Sequence, residues 1–126
     1  MGLSYAHVEL KNPRHPELQS ITAAALADTG SLHLCIPEHY AVQLQLDQYG
    51  EKEVTIADGS RRVVPYMGPV QIGFAHRTGF CGALVFGDEV LIGAIPMEDM
   101  DRVVIPRDRR LAINPDNPNM ACSKVK

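Results

Sequence analysis

The chain has 126 residues, 45% of them hydrophobic and 21% charged, with a formal net charge of −3. That length fits one domain over residues 1–126 with one core, the last stretch, 114–126, being the least patterned. The acidic balance argues against non-specific nucleic-acid binding, which needs a basic excess, and no apolar run approaches the roughly 20 residues of a membrane-spanning helix.

In chain order, Leu3 to Leu10 alternates, with Ala6, Val8 and Leu10 on one face and Tyr5, His7 and Glu9 on the other, the pattern of a half-buried strand. The start, Met1-Gly2-Leu3-Ser4-Tyr5, lacks a basic region followed by an apolar one, so no signal peptide is expected. Asn12-Pro13-Arg14-His15-Pro16 reads as a turn, because proline fixes φ and offers no ladder donor. Leu18 to Ala27 reads as a second strand, although its alanines make a helix the competing assignment. The run ends on Asp28-Thr29-Gly30-Ser31. A carboxylate where a buried strand turns is costly unless it has partners, and Gly30 permits a tight turn and close approach. Asp28 is therefore the candidate catalytic residue, although Asp-Thr-Gly taken alone favours a turn aspartate capping its own backbone.

Leu32 to Ile36 reads as a short strand, and Pro37 as the first position of a helix running to about Leu46. Glu51 to Ala57 alternates through Val54 and Ile56 and reaches Asp58-Gly59, the signal for a two-residue hairpin turn. Arg61 to Tyr66 returns as a strand, placed at an edge by Pro65. Val70 to Phe74 and Phe80 to Phe86 read as strands around a turn at His76-Arg77-Thr78-Gly79. Val90 to Ala94 is a buried strand, and Pro96 to Met100 a short helix whose acids Glu98, Asp99 and Asp101 form a solvated face. Val103 to Ile105 and Leu111 to Ile113 close the pattern around an exposed basic turn, Arg107-Asp108-Arg109-Arg110. Asn114 to Asn119 reads as loop and Met120 to Val125 as a terminal strand. Many short strands with regular turns and one or two short helices indicate an all-β barrel or folded-over sheet.

Cys35, Cys81 and Cys122 form no CxxC pair, and an odd count without an export signal fits reduced thiols in the cytoplasm. His33, Cys35 and His39 are the nearest approach to a metal cluster. Residues 33 and 35 share a strand face, but no second pair completes a zinc site, so these read as packing or surface residues and neither metal nor cofactor is expected.

Leu26-Ala27-Asp28-Thr29-Gly30-Ser31 resembles the active-site signature of aspartic proteases: two apolar residues, Asp-Thr-Gly, then Ser or Ala. The other parts come in that family's order. A hairpin with Gly59 at its turn stands where the flap does. Leu91-Ile92-Gly93-Ala94 is similar to the segment that braces the active-site loop, and a short helix follows it. The likeness spans residues 3 to 113 and is to the single-domain, retroviral-type (retropepsin-like) branch, in particular its small bacterial members. It implies a closed β-barrel and peptide hydrolysis by two carboxylates that share one proton, one as base toward water, the other polarising the scissile carbonyl. The chain has one Asp-Thr-Gly, and Asp58-Gly59-Ser60 is no second copy, so the resemblance implies a two-fold homodimer that supplies the second carboxylate.

By the resemblance, Asp28 is the catalytic carboxylate and Thr29 bonds across the axis to the partner's loop. Gly30 approaches substrate closely and bonds to it, and Ser31 orients a carboxylate oxygen. Ile56, Ala57, Asp58, Gly59, Ser60, Arg61 and Arg62 form the flap over an extended peptide bound as an added strand. Leu91, Ile92 and Gly93 support the loop. The flap departs from the glycine-rich retroviral kind, having only Gly59, and its paired arginines suggest acidic peptides. A catalytically silent dimer that binds peptides or assembles is the alternative function.

Overall fold

A computed structural model describes residues 4–105 and 110–125, with the side chains of 4, 105 and 110 outside the description. Nine strands and two short helices occur in the order β1 (Ser4–Lys11), β2 (Ile21–Ala27), β3 (Leu34–Ile36), α1 (Glu38–Gln43), β4 (Asp47–Thr55), β5 (Arg61–Phe74), β6 (Arg77–Val85), β7 (Val90–Ile92), α2 (Ala94–Asp99), β8 (Arg102–Ile105) and β9 (Arg110–Ile113). The sheet runs β4-β5-β6-β3-β7-β2-β1-β9-β8, and an added β5–β1 pairing closes the ring β1-β5-β6-β3-β7-β2 into a six-stranded barrel. The chain is thus all-β, as its turn spacing indicates, and closed, as the resemblance implies.

The barrel is filled by the inward face of each strand. On β1 the alternation holds, with Ala6, Val8 and Leu10 buried against Tyr5, His7 and Glu9 exposed. On β2, Ile21, Ala23, Ala25 and Ala27 are buried. Its alanines adopt strand conformation because β2 has a ladder on both sides, antiparallel to β1 and parallel to β7. Those backbone bonds outweigh alanine's intrinsic helix preference of a few tenths of a kcal/mol, so roughly the weakest term loses. Leu34, Ile36, Leu44, Ile72, Ile92 and Met100 complete the interior.

β5 merges the two strands expected at Arg61–Tyr66 and Val70–Phe74. Gly68-Pro69 reads as a break, yet pairing resumes across it with a register shift against β6 between Met67 and Val70, the signature of a bulge. From Arg61 to Pro65 the strand is paired only with β4; from Tyr66 onward it also pairs with β6. Pro65, without a donor, therefore stands where no second ladder needs one.

Several boundaries move. Leu18 belongs to the turn, donating its N–H to His15 O at 3.0 Å, so β2 starts at Ile21. β3 starts at Leu34 and α1 ends at Gln43, with Pro37 just before it. β4 begins at Asp47, four residues before Glu51. The turn between β5 and β6 is Ala75-His76, since Phe74 already pairs with Arg77. The basic turn expected at Arg107–Arg110 lies outside the described residues, apart from the backbone of Arg110 in β9.

Asp101 is not a solvated acid. Its carboxylate accepts Asn114 Nδ2 at 3.0 Å, Asn117 Nδ2 at 2.7 Å and Cys122 N at 3.0 Å. These bonds, the Asn114 amide first, hold its pKa below the usual value, with the nearby Arg77 guanidinium adding to them. Arg77 is buried and donates to the carbonyls of Met100, Asp101 and Asn117. The segment after β9 is tied down by this cluster, and the terminal strand expected at Met120–Val125 does not form: residues 121–125 are exposed and pair with no strand among the described residues. A strand needs a neighbouring ladder, and the polar anchors hold this segment as irregular loop.

Ile72 pairs with Leu10 on one side and Gly79 on the other and is fully buried where the barrel closes. Ile72→Ala should lower unfolding free energy by about 2–5 kcal/mol in a denaturant titration; a loss under about 0.5 kcal/mol would show that closure does not depend on this contact.

Candidate active site

Asp28 follows β2, whose buried alanines bring the backbone to the barrel's end. Its N–H donates to Ile92 O at 2.9 Å. Its Oδ1 accepts the Gly30 N–H at 2.9 Å, and its Oδ2 accepts the Ser31 hydroxyl at 2.9 Å. The Ser31 N–H returns to Asp28 O at 3.1 Å. A carboxylate accepts at about four lone-pair positions, so these donors orient it without exhausting it.

The loop is stitched to the chain that follows β7. Gly93 N–H donates to His33 O at 3.1 Å, Ala94 N–H to Ser31 O at 2.9 Å and Ile95 N–H to Leu32 O at 2.9 Å. Gly93 is there for space. A Cβ on it would stand 2.5 Å from Leu32 C and 2.6 Å from His33 O. Its φ of −91° is open to any residue, so the requirement is the close approach of two backbones.

Asp28 opens into a cavity of about 450 Å³. Its floor and walls include Leu32, Cys35, Leu84, Phe86 and Leu91, and the β4–β5 hairpin covers it with Val54, Thr55, Ile56 and Ala57. Asp28 is the one acid among the described lining residues. Cys35 sits beside it, and burial first, then the Asp28 charge, raises the thiol's pKa and keeps it protonated. His33 also lines the cavity; burial, and then the charge of Lys52, lowers its pKa and keeps it neutral at neutral pH.

Of the residues the sequence singled out, the structure brings Asp28, Gly30, Ser31, Ile56, Ala57 and Leu91 to one cavity, with Ile92 and Gly93 directly behind the loop. Thr29 is exposed and is not among the residues that line the cavity. Ala57, Asp58 and Gly59 form the hairpin tip between the flanking pair Ile56 and Ser60, so the turn has three residues rather than two. Ile56 N–H bonds to Ser60 O and Gly59 N–H to Ile56 O, both at 2.8 Å, with Gly59 at φ +88°. That is a type I turn closed by a left-handed glycine. Asp58 Oδ1 accepts the Ser60 N–H and hydroxyl, which lowers the Asp58 pKa. Arg61 points outward to Glu53, 3.5 Å away, and Arg62 lies against Phe86, 5.9 Å from the ring centroid.

Sequence reasoning missed Leu32, Val54, Thr55, Leu84 and Phe86 as lining residues and gave His33 and Cys35 no place at the site. Val54 shares the alternation of Ile56, but Leu84 and Phe86 carry no local signal: they reach the site because β6 pairs in parallel with β3 and the Phe86 N–H bonds to Ile36 O. His33 and Cys35 do share a face, while His39 packs on Tyr40, their rings 4.5 Å apart.

Solved structures share this fold, among them the two that follow. The chain is similar to the protease of simian foamy virus (mac), with a TM-score of 0.53 and 14% identity over 75% of this chain and 91% of that one. It is also similar to the retroviral protease-like domain of Ddi1 from Leishmania major, with a TM-score of 0.55 and 12% identity over 89% of this chain and 90% of that one. No protein-family model and no curated protein matches the sequence. At such identities the likeness establishes a retropepsin-like fold.

Gly93→Ala forces a methyl group into the Leu32–His33 backbone. It should cost about 1–3 kcal/mol in chemical denaturation and speed amide exchange at Asp28 and Gly93. Unchanged exchange there would show that the loop does not lean on this contact.

Proposed function

We propose that the chain is an aspartic endopeptidase that works as a homodimer, hydrolysing an extended peptide with a water held between Asp28 and Asp28 of the partner subunit. The observation that carries this reading is the carboxylate itself. It is oriented through both oxygens in a mainly apolar cavity, under a hairpin.

One carboxylate cannot perform the reaction. The ionised member of the pair takes a proton from water as its oxygen attacks the scissile carbon. The protonated member donates to the carbonyl oxygen. The tetrahedral intermediate collapses as the C–N bond breaks and the leaving nitrogen takes a proton. Two carboxylates this close do not both ionise, so each cycle starts with one proton shared between them.

The surface around the loop supports a partner there. Leu32 is 58% exposed and Ile95 40% exposed. Both are apolar and both belong to the stitched segments. Thr29, exposed beside them, bonds across the axis in this reading. An isologous contact at this place brings the two loops together. The β4–β5 hairpin then closes over the peptide, which binds as an extended strand.

The motif order supports placing the chain with the small bacterial members of the clan. Cys35, Cys81 and Cys122 are all free, which supports a reducing, cytoplasmic setting.

Asp28→Asn should keep the fold and lower peptide cleavage by about 10²- to 10⁴-fold or more, measured on a panel of extended peptides at mildly acidic to neutral pH. Undiminished cleavage would remove Asp28 from the chemistry. A wild-type dimer that binds peptides and cleaves none would instead be the silent binding module. Specific activity should also fall as the protein is diluted through its dimer dissociation constant, followed by sedimentation; a fully active monomer would rule out the shared pair.

A further inference from the structure

The β4–β5 hairpin sorts its charges by the pleat. Successive side chains of a strand point to opposite faces, and residues directly paired across a ladder share a face. Val54 pairs with Arg62 and Lys52 with Val64. Val64 is buried and Val54 half-buried, whereas Val63 on the opposite face is 61% exposed, so Lys52 and Arg62 belong to the inner face. Glu51, Glu53 and Arg61 alternate onto the outer face, where Arg61 meets Glu53.

Arg62 reaches a cavity wall directly, and Lys52 reaches one through Tyr66. Arg62 lies 5.9 Å from the centroid of the Phe86 ring, and Phe86 lines the cavity. Lys52 Nζ lies 4.9 Å over the Tyr66 ring. Tyr66 in turn meets the His33 ring edge-on at 6.0 Å, and His33 lines the cavity. Among the described residues, neither Lys52 nor Arg62 has a carboxylate in ion-pair range. Asp58 at the tip feels the Arg62 charge, but its Oδ1 is taken up by Ser60. The cavity is thus apolar at its floor and cationic at its hairpin rim.

We propose that Arg62 and Lys52 make this groove selective for peptides that carry Asp or Glu beside an apolar residue. The apolar side chain enters the floor and the neighbouring carboxylate meets Arg62 at the rim. The cleavage arm of this inference rests on the endopeptidase reading; the binding arm does not. In a two-fold dimer the rim recurs at both ends of the groove, so an acid on either side of the apolar pair is recognised.

Three peptides of equal length, with an apolar pair flanked by Glu, Gln or Lys, separate the possibilities. Their affinity for the full-length Asp28→Asn protein is read by fluorescence anisotropy, and their cleavage by the wild type is followed in parallel. The Glu peptide should bind roughly twofold to fivefold tighter than the Gln peptide, as expected for one exposed ion pair, and the Lys peptide more weakly than either. The order should weaken when Arg62→Gln is added, weaken further with Arg62→Glu and vanish when Lys52→Gln joins Arg62→Gln, an effect a merely structural role would not produce. It should also flatten in 1 M salt, where charges are screened beyond about 3 Å.

Equal affinities, no binding of any of the three, or an order unchanged by both Arg62 variants would overturn the proposal. If the order holds in binding while the wild type cleaves nothing, the selectivity stands and the endopeptidase reading falls. If cleavage proceeds with no charge order, the reverse is true.

Discussion

The structure depends on a backbone clamp between two segments 60 residues apart in sequence. Asp28 N–H reaches Ile92 O, and Gly93, Ala94 and Ile95 donate back to His33, Ser31 and Leu32. Every one of these is a main-chain bond, so the loop's shape does not rest on side chains that could swing away. What remains for side chains is local: Gly30 N–H and Ser31 Oγ turn the Asp28 carboxylate to a single orientation. A group placed this way would lose little further freedom in the proposed hydrolysis, which is what catalysis by positioning requires.

The barrel exists to bring those segments together. β2 and β7 run parallel, with Ala27 beside Ile92, so their ends emerge side by side. Parallel strands need a long crossover, and here the intervening chain builds the hairpin and closes the ring through β5 and β6. The excursion that joins the two halves of the clamp therefore also supplies the cover over the cavity. β5 serves both uses. Its later part closes the barrel on β1 and its first part projects with β4.

The hairpin also shows how a pleat turns sequence neighbours into opposites. Arg61 and Arg62 are adjacent in the chain, yet one meets Glu53 on the outer face and the other rests near Phe86 at the cavity. A pair of arginines is therefore not a unit of recognition. The unit is Arg62 with Lys52, which are apart in sequence and share a face through the ladder. Gly82 plays a supporting part: a Cβ there would stand 2.4 Å from the Tyr66 ring, so its absence lets Tyr66 lie between Lys52 and His33.

By itself the sequence determined the local features: the strand alternation of β1, the buried run into Asp28, the turn at Gly59 and the all-β class. Each is set by neighbours a few residues away, through side-chain period and turn chemistry. Only the tertiary structure decided the rest. Leu84, Phe86 and Cys35 join the site because β6 pairs with β3, a choice no local pattern contains. Asp101 reads as one more exposed acid until the chain after β9 returns to donate to it. Gly68-Pro69 reads as a break until the ladders on either side of it hold the strand together. In each case the deciding energy is hydrogen bonding or burial between distant segments, and that is fixed by topology rather than by composition.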